Sequence, residues 1–519
     1  MAYLANSIYR RAGRIQTQAS RTSERMQTTL ILGGMMLFSG LLSFFFFAGQ
    51  SLRLDEAQSL WQTSRSVLDI FTVVSQDVHV PLYHLVLHLW RTLLGDSVIT
   101  ARLLSLAFYM ASIPALYALG KLAYNRNVGL FSAMLLSLSP FMNWYGNEIR
   151  MYTLLTLIVI LNQYFFLKIW KARAPGAWWG YGITIIFGVY THYFFFLNLA
   201  AQAAFYLFRS DVFPRKSFSK LLGMALVATI AIAPWIGFVL YQGQLQNQEP
   251  VLMTPTSINI FNAFSQFIIG FQTDNLNTIF LSLWPITVLL GFIALRRNQR
   301  LGPESVFFLT TILMSMALAF IVSVTITPLF VSRYLIFTVP SLYLLMTSFL
   351  VGYAGNLGRW LRYGLIGIMA ITLVIEIFNP VNPVKENYAQ AAQFINANVS
   401  PQDVVVLSSP FTVYPVDYYY RGAAPLETLP VWDRYAYGAI PAFDAGSLEA
   451  QVNQVTADHQ QVWLLLSYDQ GYEKDIKEYF DTHYQRVLDK TFSDNLTLYV
   501  YKLRYDTPLS QVEKKLTLE

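Results

Sequence analysis

Long apolar runs separated by short polar turns fill the first 380 residues of the chain. A helix needs about 20 apolar residues to cross a bilayer core, so these runs predict about eleven membrane-spanning helices. The first run is too long for the apolar core of a signal peptide, and we expect it to be retained as a helix. The predicted spans are 29–49, 100–122, 127–143, 150–170, 177–191, 193–208, 219–241, 276–295, 304–326, 334–353 and 362–379.

The segment between the first two spans, about residues 50–99, does not fit the pattern of helix and short turn. Residues 57–74, AQSLWQTSRSVLDIFTVV, carry apolar side chains at helical spacing and predict a helix lying in the membrane interface. Residues 81–94, PLYHLVLHLWRTLL, are apolar but too short to cross a bilayer. They predict a second interfacial or re-entrant helix, with Pro81 in its first turn.

Polar residues return after about residue 380, and the pattern there alternates between helical and strand spacing. Helices are predicted over 387–399 and 475–484, and strands over 403–409, 461–467 and 496–503. This pattern predicts a small α/β domain. The chain therefore divides into a basic N-terminus at 1–28, a transmembrane domain at 29–380 and an α/β domain at 381–519.

The composition supports a membrane protein, since 55% of residues are hydrophobic and only 13% are charged, against about 25% charged in soluble domains. The net charge of +6 fits the enrichment of Lys and Arg in cytoplasmic loops better than binding to nucleic acid. The chain has no cysteine, which excludes disulfides and thiol catalysis.

The basic residues also predict the orientation in the plasma (inner) membrane. Every second turn between spans is basic, whereas the turn at 242–275 has no Lys or Arg. We therefore expect a cytoplasmic N-terminus and an extracytoplasmic α/β domain. The residues on the predicted inner side are Arg10, Arg11, Arg14, Arg21, Arg25, Lys121, Arg126, Lys168, Lys171, Arg173, Arg209, Arg215, Lys216, Lys220, Arg296, Arg297, Arg300, Arg359 and Arg362.

A second group of ionisable residues falls on the predicted outer side, four of them in the first outer loop and four in later outer turns. Such groups are costly at a membrane boundary unless they are paired or used. Taken singly, Asp55 suits a helix cap, His192 suits a structural hydrogen-bond donor, and Arg150 and Arg333 suit snorkelling anchors. Taken together, they indicate a site on one face. The group consists of Asp55, Glu56, Asp77, His79, Glu148, Arg150, His192 and Arg333.

Four stretches around these residues resemble the GT-C glycosyltransferases, in particular the group of the protein O-mannosyltransferases and lipid A aminoarabinose transferases. They are LDEAQSLW, DVHVPLYHLVLHLW, SPFMNWYGNEIRMYTLL and SRYLIFTVP, and they occur in that order over about residues 29–380. One departure is Val80, where the family usually has the first of two prolines.

The resemblance implies a GT-C fold that transfers a sugar from a polyprenyl-phosphate donor to an extracytoplasmic protein, lipid or glycan. Asp55 matches the catalytic base, and Glu148 would orient hydroxyl groups or tune Asp55. Arg333 and Arg150 are candidates for binding the donor phosphate, because guanidinium groups bind phosphate bidentately. The other substrate-binding candidates are Glu56, His79, Tyr83, Tyr152, His192 and Tyr334.

Several alternatives stay open at this level. Glu56, Asp77 and His79 suit either support of the loop or binding of a divalent cation, with Asp77 and His79 as the metal candidates. No metal-ligand motif of fixed spacing is present, so we favour a metal-independent reaction without a cofactor. The stretch FNAFSQFIIGF, residues 261–271, suits an interfacial anchor or a gate for the donor. A transporter or lipid flippase, a non-catalytic assembly subunit and a lipid phosphotransferase are the competing functions.

Overall fold

The computed structural model describes residues 2–47, 50–77, 79–242, 253–272, 301–353, 355–378, 386–433 and 441–503, with side chains of the first helix from 22 to 45. Residues 275, 278, 279 and 282 are also described. Most of the predicted span 276–295, together with Arg296, Arg297 and Arg300, lies outside the described residues. The side chains of Arg10, Arg11, Arg14 and Arg21 lie outside them too.

Before residue 379, every regular element that the structure describes is a helix. A 3-10 helix at Ser210–Val212 precedes α11, and another at Ser332–Thr338 runs directly into α14. The α-helices are α1 Ala2–Phe47, α2 Leu54–Thr63, α3 Val67–Ser75, α4 Leu82–Leu94, α5 Val98–Ala123, α6 Arg126–Leu138, α7 Pro140–Gly146, α8 Tyr152–Trp170, α9 Ala177–Val189, α10 Phe195–Phe208, α11 Ser217–Tyr241, α12 Ser257–Ile269, α13 Pro303–Thr325, α14 Val339–Gly352 and α15 Gly355–Phe378.

Seven helical segments among the described residues are long and apolar enough to cross a membrane. They lie in α1, α5, α8, α11 and α13, in the continuous segment Ser332–Gly352, and in α15. Four shorter apolar helices accompany them, namely α6, α9, α10 and α12. Three of these four fall on predicted spans. The prediction of a multi-pass helical membrane protein is confirmed.

The segment after α1 contains three short helices instead of the two predicted. The single helix predicted over 57–74 is wrong, because the chain breaks between α2 and α3 at residues 64–66. The break has a local cause, since the Ser66 hydroxyl accepts a hydrogen bond from the Asp69 N–H and caps α3. The second predicted helix is confirmed as α4, with Pro81 at its N-cap.

A buried network of polar side chains connects α8, α9, α10 and α14 in the middle of the bundle. Asn162 of α8 accepts hydrogen bonds from Asn198 and Gln202 of α10 and donates one to Thr184 of α9. Gln163 donates to Ser341 at the start of α14. Such bonds fix helices against one another in a membrane, where no water competes. The network therefore fixes the helices whose ends carry the site described below.

The C-terminal domain has a five-stranded mixed sheet in the order β2-β1-β3-β5-β4, in which β1 is parallel to both β2 and β3. β5 is antiparallel to β3 and β4. The strands are β1 Val404–Ser408, β2 Leu426–Thr428, β3 Gln461–Ser467, β4 Gln485–Ser493 and β5 Leu496–Lys502. The helices are α16 Tyr388–Asn398, α17 Val413–Tyr419, α18 Leu448–Thr456 and α19 Glu473–His483, with 3-10 turns at Pro410–Thr412 and Ala445–Ser447.

The predicted strands of this domain are confirmed as β1, β3 and β5, and the predicted helices as α16 and α19. Both β1 and β3 are buried along their whole length, as expected for parallel strands covered on two faces. Sequence reasoning missed β4, an edge strand whose residues are mostly exposed. It also missed β2, which has only three residues. The prediction of a small α/β domain is confirmed.

Candidate active site

Asp55 lies in the first turn of α2, and Arg333 lies in the 3-10 helix that precedes α14. The Arg333 Nη1 donates to the Asp55 Oδ2 at 3.2 Å. Asp55 does not cap its helix: a Glu56 carboxylate oxygen accepts the N–H of the N-cap residue Arg53 instead. Both side chains remain about a quarter exposed, at 23% and 27%. The pair is therefore partly open to a ligand.

The charges around Asp55 favour its ionised form. Burial alone would raise its pKa, but the guanidinium groups of Arg150, Arg333 and Arg53 outweigh burial and hold the pKa well below its usual value. The first turn of a helix also favours a negative charge. The resting site therefore contains an Asp55 carboxylate at any physiological pH.

Arg150 fastens α2 to the loop before α4. Its Nη1 donates to the Asp55 carbonyl oxygen at 3.4 Å and to the Ser59 hydroxyl at 3.2 Å, and its Nη2 lies 2.5 Å from the His79 Nε2. Burial and the charge of Arg150 lower the pKa of His79 well below its usual value, so His79 is neutral and accepts this bond. The Arg150 side chain is 4% exposed. These contacts hold α2 and His79 in place and leave little of Arg150 exposed to a ligand.

Glu148 lies in the turn between α7 and α8 and is fully buried. Its Oε1 accepts a hydrogen bond from the Arg53 Nη1 at 3.4 Å, and the Arg53 guanidinium lies over the Trp144 ring at 5.5 Å. Burial raises the pKa of Glu148, although Arg53 opposes this. Glu148 is thus a weaker acid than Asp55. Their different surroundings keep Asp55 charged and make Glu148 easier to protonate.

Glu56 forms a buried ion pair with Arg102 of α5. The Arg102 Nε and Nη2 donate to the two Glu56 oxygens at 2.8 and 2.7 Å, and both side chains are almost completely buried. The Glu56 oxygens also accept the backbone N–H groups of Arg53 and Ile149. This arrangement favours the support role for Glu56 over contact with a substrate.

Aromatic rings line the side of the site next to Arg333. The ring of Tyr334 lies 5.4 Å from that of His192 and 6.4 Å from that of Tyr152, and the Arg333 guanidinium lies 5.4 Å from the Tyr334 ring. The His192 Nδ1 accepts the Phe194 N–H, and burial lowers the pKa of His192 to about 3. A neutral imidazole with aromatic neighbours suits contact with a sugar. Tyr83 instead donates to or accepts from the Ser105 hydroxyl and is completely buried.

Several buried polar atoms of the site lack a hydrogen-bond partner within the described part of the protein. They are the Glu148 Oε2, the Tyr152 Oη, and the Nε atoms of Arg53, Arg150 and Arg333. Buried polar atoms are nearly always bonded in folded proteins, so each exception calls for an explanation. These five atoms are available for hydrogen bonds to a polar ligand or to water.

The metal candidates lie near each other but are bonded to other groups. One Asp77 oxygen accepts hydrogen bonds from Gln58 and Gln62 and lies 3.6 Å from the His79 Nε2. Among the described residues, no group of three or more His, Asp or Glu side chains is placed to hold a metal ion. The donor set around Asp77 therefore does not fit a metal centre.

The structure brings seven of the eight predicted ionisable residues, Asp55 included, to one end of the bundle. The eighth, Glu56, is bonded to Arg102 instead. Sequence reasoning missed two arginines, Arg53 and Arg102. Arg53 is a basic residue on the predicted outer face, the same signal that singled out Arg150 and Arg333. Arg102 lies inside a predicted span, where a charge marks a buried partner.

Comparisons with known proteins bear on the fold. Residues 78–238 match the model of the family described as dolichyl-phosphate-mannose-protein mannosyltransferase. The whole fold is similar to the crystal structure of ArnT from Cupriavidus metallidurans in the apo state, with a TM-score of 0.58 and 12% identity over 90% of this chain and 98% of that one. The chain has the GT-C fold. The resemblance predicted from the motifs is thereby confirmed.

A second ArnT structure from Cupriavidus metallidurans, bound to undecaprenyl phosphate, matches equally well. Its TM-score is 0.58 and its identity 12%, over 92% of this chain and 99% of that one. A sequence search of the curated proteins gives no match. The GT-C fold therefore rests on the shape of nearly the whole chain, and the family model covers its α4–α11 region.

Proposed function

We propose that this GT-C protein is a membrane glycosyltransferase that moves a sugar from a polyprenyl-phosphate donor to a hydroxyl-bearing acceptor outside the cytoplasm. The observation that carries the proposal is the Asp55–Arg333 contact, in which a carboxylate lies beside a guanidinium group; the first suits a general base and the second suits phosphate binding. The undecaprenyl phosphate bound by the similar ArnT structure supports a lipid-linked donor. A polyprenyl tail stays in the bilayer, since each CH₂ buried there is worth about 0.8 kcal/mol, so the reacting groups meet at the membrane surface.

In the proposed reaction, the acceptor oxygen attacks the anomeric carbon of the donor as Asp55 takes the hydroxyl proton. The bond between that carbon and the phosphate oxygen breaks, and polyprenyl phosphate leaves with the bonding electrons. Arg333 and Arg53 stabilise the negative charge of the leaving group. One displacement inverts the configuration at the anomeric carbon.

The low pKa of Asp55 would make it a weak base in the empty site. Donor binding changes this, because a phosphate that pairs with Arg333 cancels the positive charge that holds the pKa down. The carboxylate then becomes more basic at the moment when the donor is in place. Glu148, with one free oxygen beside Arg53, would orient a hydroxyl of the sugar or of the acceptor.

The test is transfer by the purified protein from a panel of labelled polyprenyl-phosphate sugars. Membranes of a strain that lacks the protein supply the acceptor. We expect transfer from one donor class, with the anomeric configuration of the product opposite to that of the donor, and no transfer by Asp55→Asn. Transport of the donor across vesicles without any glycosyl transfer would contradict the proposal and favour a flippase.

A further inference from the structure

The C-terminal sheet has an edge of the kind at which α/β proteins bind ligands. β1 and β3 are parallel neighbours, so their carboxyl ends, at Ser408 and Ser467, lie at the same edge. The chain leaves β1 toward β2 on one side and returns to β3 on the other, and ligands of open α/β sheets bind where connections diverge in this way. The hydroxyl of Ser408, which is 2% exposed, has no hydrogen-bond partner in the described part of the protein.

The C-terminal domain docks on the segment that leads into Asp55. The Leu52 N–H donates to the Tyr419 hydroxyl at 3.1 Å, and the Ala389 N–H donates to the Ser51 hydroxyl at 3.2 Å. The ring of Trp61 in α2 lies 5.0 Å from that of Tyr414 in α17. The domain is therefore fixed against the same helix that carries the proposed base.

Two side chains of this domain, Tyr468 and Glu386, meet beside that edge. Tyr468 follows β3 directly, and its hydroxyl donates to the Glu386 Oε2 at 3.1 Å. Glu386 is 4% exposed. Glu386 lies three residues before Ala389, whose N–H donates to the Ser51 hydroxyl two residues before Arg53. The charges of Arg53 and Asp55 act on both groups in opposite directions, since Arg53 lowers the pKa of each and Asp55 raises it. Burial is nevertheless the largest influence and raises the pKa of both.

The backbone of Tyr468 is held in an unfavourable conformation. Its φ of +58° lies in the left-handed region, which is uncommon for a residue as bulky as tyrosine. The Ser409 hydroxyl and the Gln470 amide both donate to its carbonyl oxygen. Strain of this kind persists where the surroundings enforce it, and it concentrates at binding sites. Here it accompanies the hydrogen bond of the phenol to Glu386.

We propose that Glu386 and Tyr468 form the acceptor side of the active site and position the acceptor hydroxyl toward Asp55. This inference rests on the proposed function and deepens it. The pair belongs to the domain outside the bundle, whereas the donor tail arrives from the lipid. A carboxylate would repel a phosphate, so the pair suits a polar acceptor group that is uncharged or basic, whereas Arg333 beside Asp55 suits the phosphate.

The experiment compares Tyr468→Phe and Glu386→Gln with the matched control Tyr501→Phe. Tyr501 lies in the same domain and also donates to a carboxylate, the Asp481 Oδ1 at 2.9 Å, but on β5, away from the β1–β3 edge. The donor is the one identified by the panel, and a solubilised membrane extract of the deletion strain is titrated as the acceptor. Undecaprenyl phosphate serves as the probe of donor-site binding.

We expect the half-saturating amount of extract to rise about tenfold in both site variants, the typical cost of a lost hydrogen bond to a charged group. The rate at saturating extract and the binding of undecaprenyl phosphate should stay unchanged, and Tyr501→Phe should behave like the wild type. Unchanged titration in both site variants would overturn this inference alone. So would an equal loss in Tyr501→Phe, because it would indicate weakened folding of the domain. Absence of transfer by the wild type would instead overturn the proposed function.

Discussion

The Arg333 Nη1 lies 3.2 Å from the Asp55 Oδ2, although the two residues are 278 positions apart in the chain. The contact joins α2 to the 3-10 helix before α14. Elements from the beginning and from the end of the helical bundle therefore meet at one ion pair. Both partners remain partly exposed. An ion pair of this kind can open toward a ligand, which distinguishes it from the closed pair of Glu56 and Arg102.

Asp55→Asn should reduce sugar transfer by about 10²- to 10⁴-fold, the usual contribution of a positioned general base. The amide keeps the size of the side chain and a hydrogen-bond acceptor for Arg333, so we expect thermal unfolding and undecaprenyl phosphate binding to stay as in the wild type. Initial rates with the identified donor measure the effect. Asp69→Asn, an exposed carboxylate in α3 of the same loop, is the control. Full activity of Asp55→Asn would exclude Asp55 as the base.

Arg333→Ala should shift the pH dependence of transfer. Arg333 lowers the pKa of Asp55, so its loss raises that pKa, and the acid limb of kcat/KM should move to higher pH. In the wild type, Asp55 should cause no loss of activity above its ordinary value of about 3.9. The measurement is the pH profile of kcat/KM, which reports groups of the free enzyme.

Arg333→Lys is the matched variant for that profile. It keeps the positive charge but loses the bidentate guanidinium, so the acid limb should stay near its wild-type position while donor affinity falls. If both variants gave the wild-type profile and donor affinity, Arg333 would have neither role.

Glu56→Gln should affect folding more than binding. The change leaves the Arg102 charge buried and unpaired, and breaking such a pair typically costs about 3–5 kcal/mol. We expect a clearly lower melting temperature in detergent and, for the protein that remains folded, a donor KM close to that of the wild type. Arg209→Ala, at an exposed pair with Asp211, should leave the melting temperature unchanged. A large rise in donor KM without a change in melting temperature would show that Glu56 binds substrate.

The motifs allowed much of the site to be predicted, because all of them fall at span ends on the same predicted side of the membrane. Alternating spans then require Asp55, Glu148, His192 and Arg333 to meet on one side, whatever the details of helix packing. The partner of Glu56 was not predictable in this way. Arg102 of α5 meets Glu56 of α2 only in the folded chain, across 46 positions of sequence.

The contacts of the C-terminal domain with the membrane domain could not be predicted from the sequence, for a different reason. The hydrophobic pattern predicted its strands, but their order in the sheet and the edge that faces the membrane domain depend on long-range docking. Tyr468 and Glu386 carry no spacing that connects them to Asp55, and they are 82 residues apart. Only the fold shows that the two side chains meet.

Gly270→Ala should displace the end of α12 from the wall of the site. Gly270 has a φ of +70°, and a Cβ there would lie 2.5 Å from the Pro140 Cβ and within clashing distance of the Glu376 Oε2. The Glu376 Oε2 also accepts the Phe271 N–H at 3.2 Å. The Phe271 ring lies 5.6 Å from that of Trp144, the ring beneath Arg53. Backbone strain and overpacking together should destabilise the protein by about 2–4 kcal/mol. The protein that remains folded should also transfer sugar more slowly.

Thermal unfolding and the specific activity of folded protein check this expectation. Gly367→Ala is the control, because it lies in α15 with Glu376 and an added Cβ there meets no atom within 4 Å. It should leave activity intact and stability equal to the wild type or slightly higher, since alanine favours a helix over glycine. If Gly270→Ala melted and reacted like Gly367→Ala, the close approach of α12 to Glu376 would have no part in shaping the wall around Trp144 and Arg53.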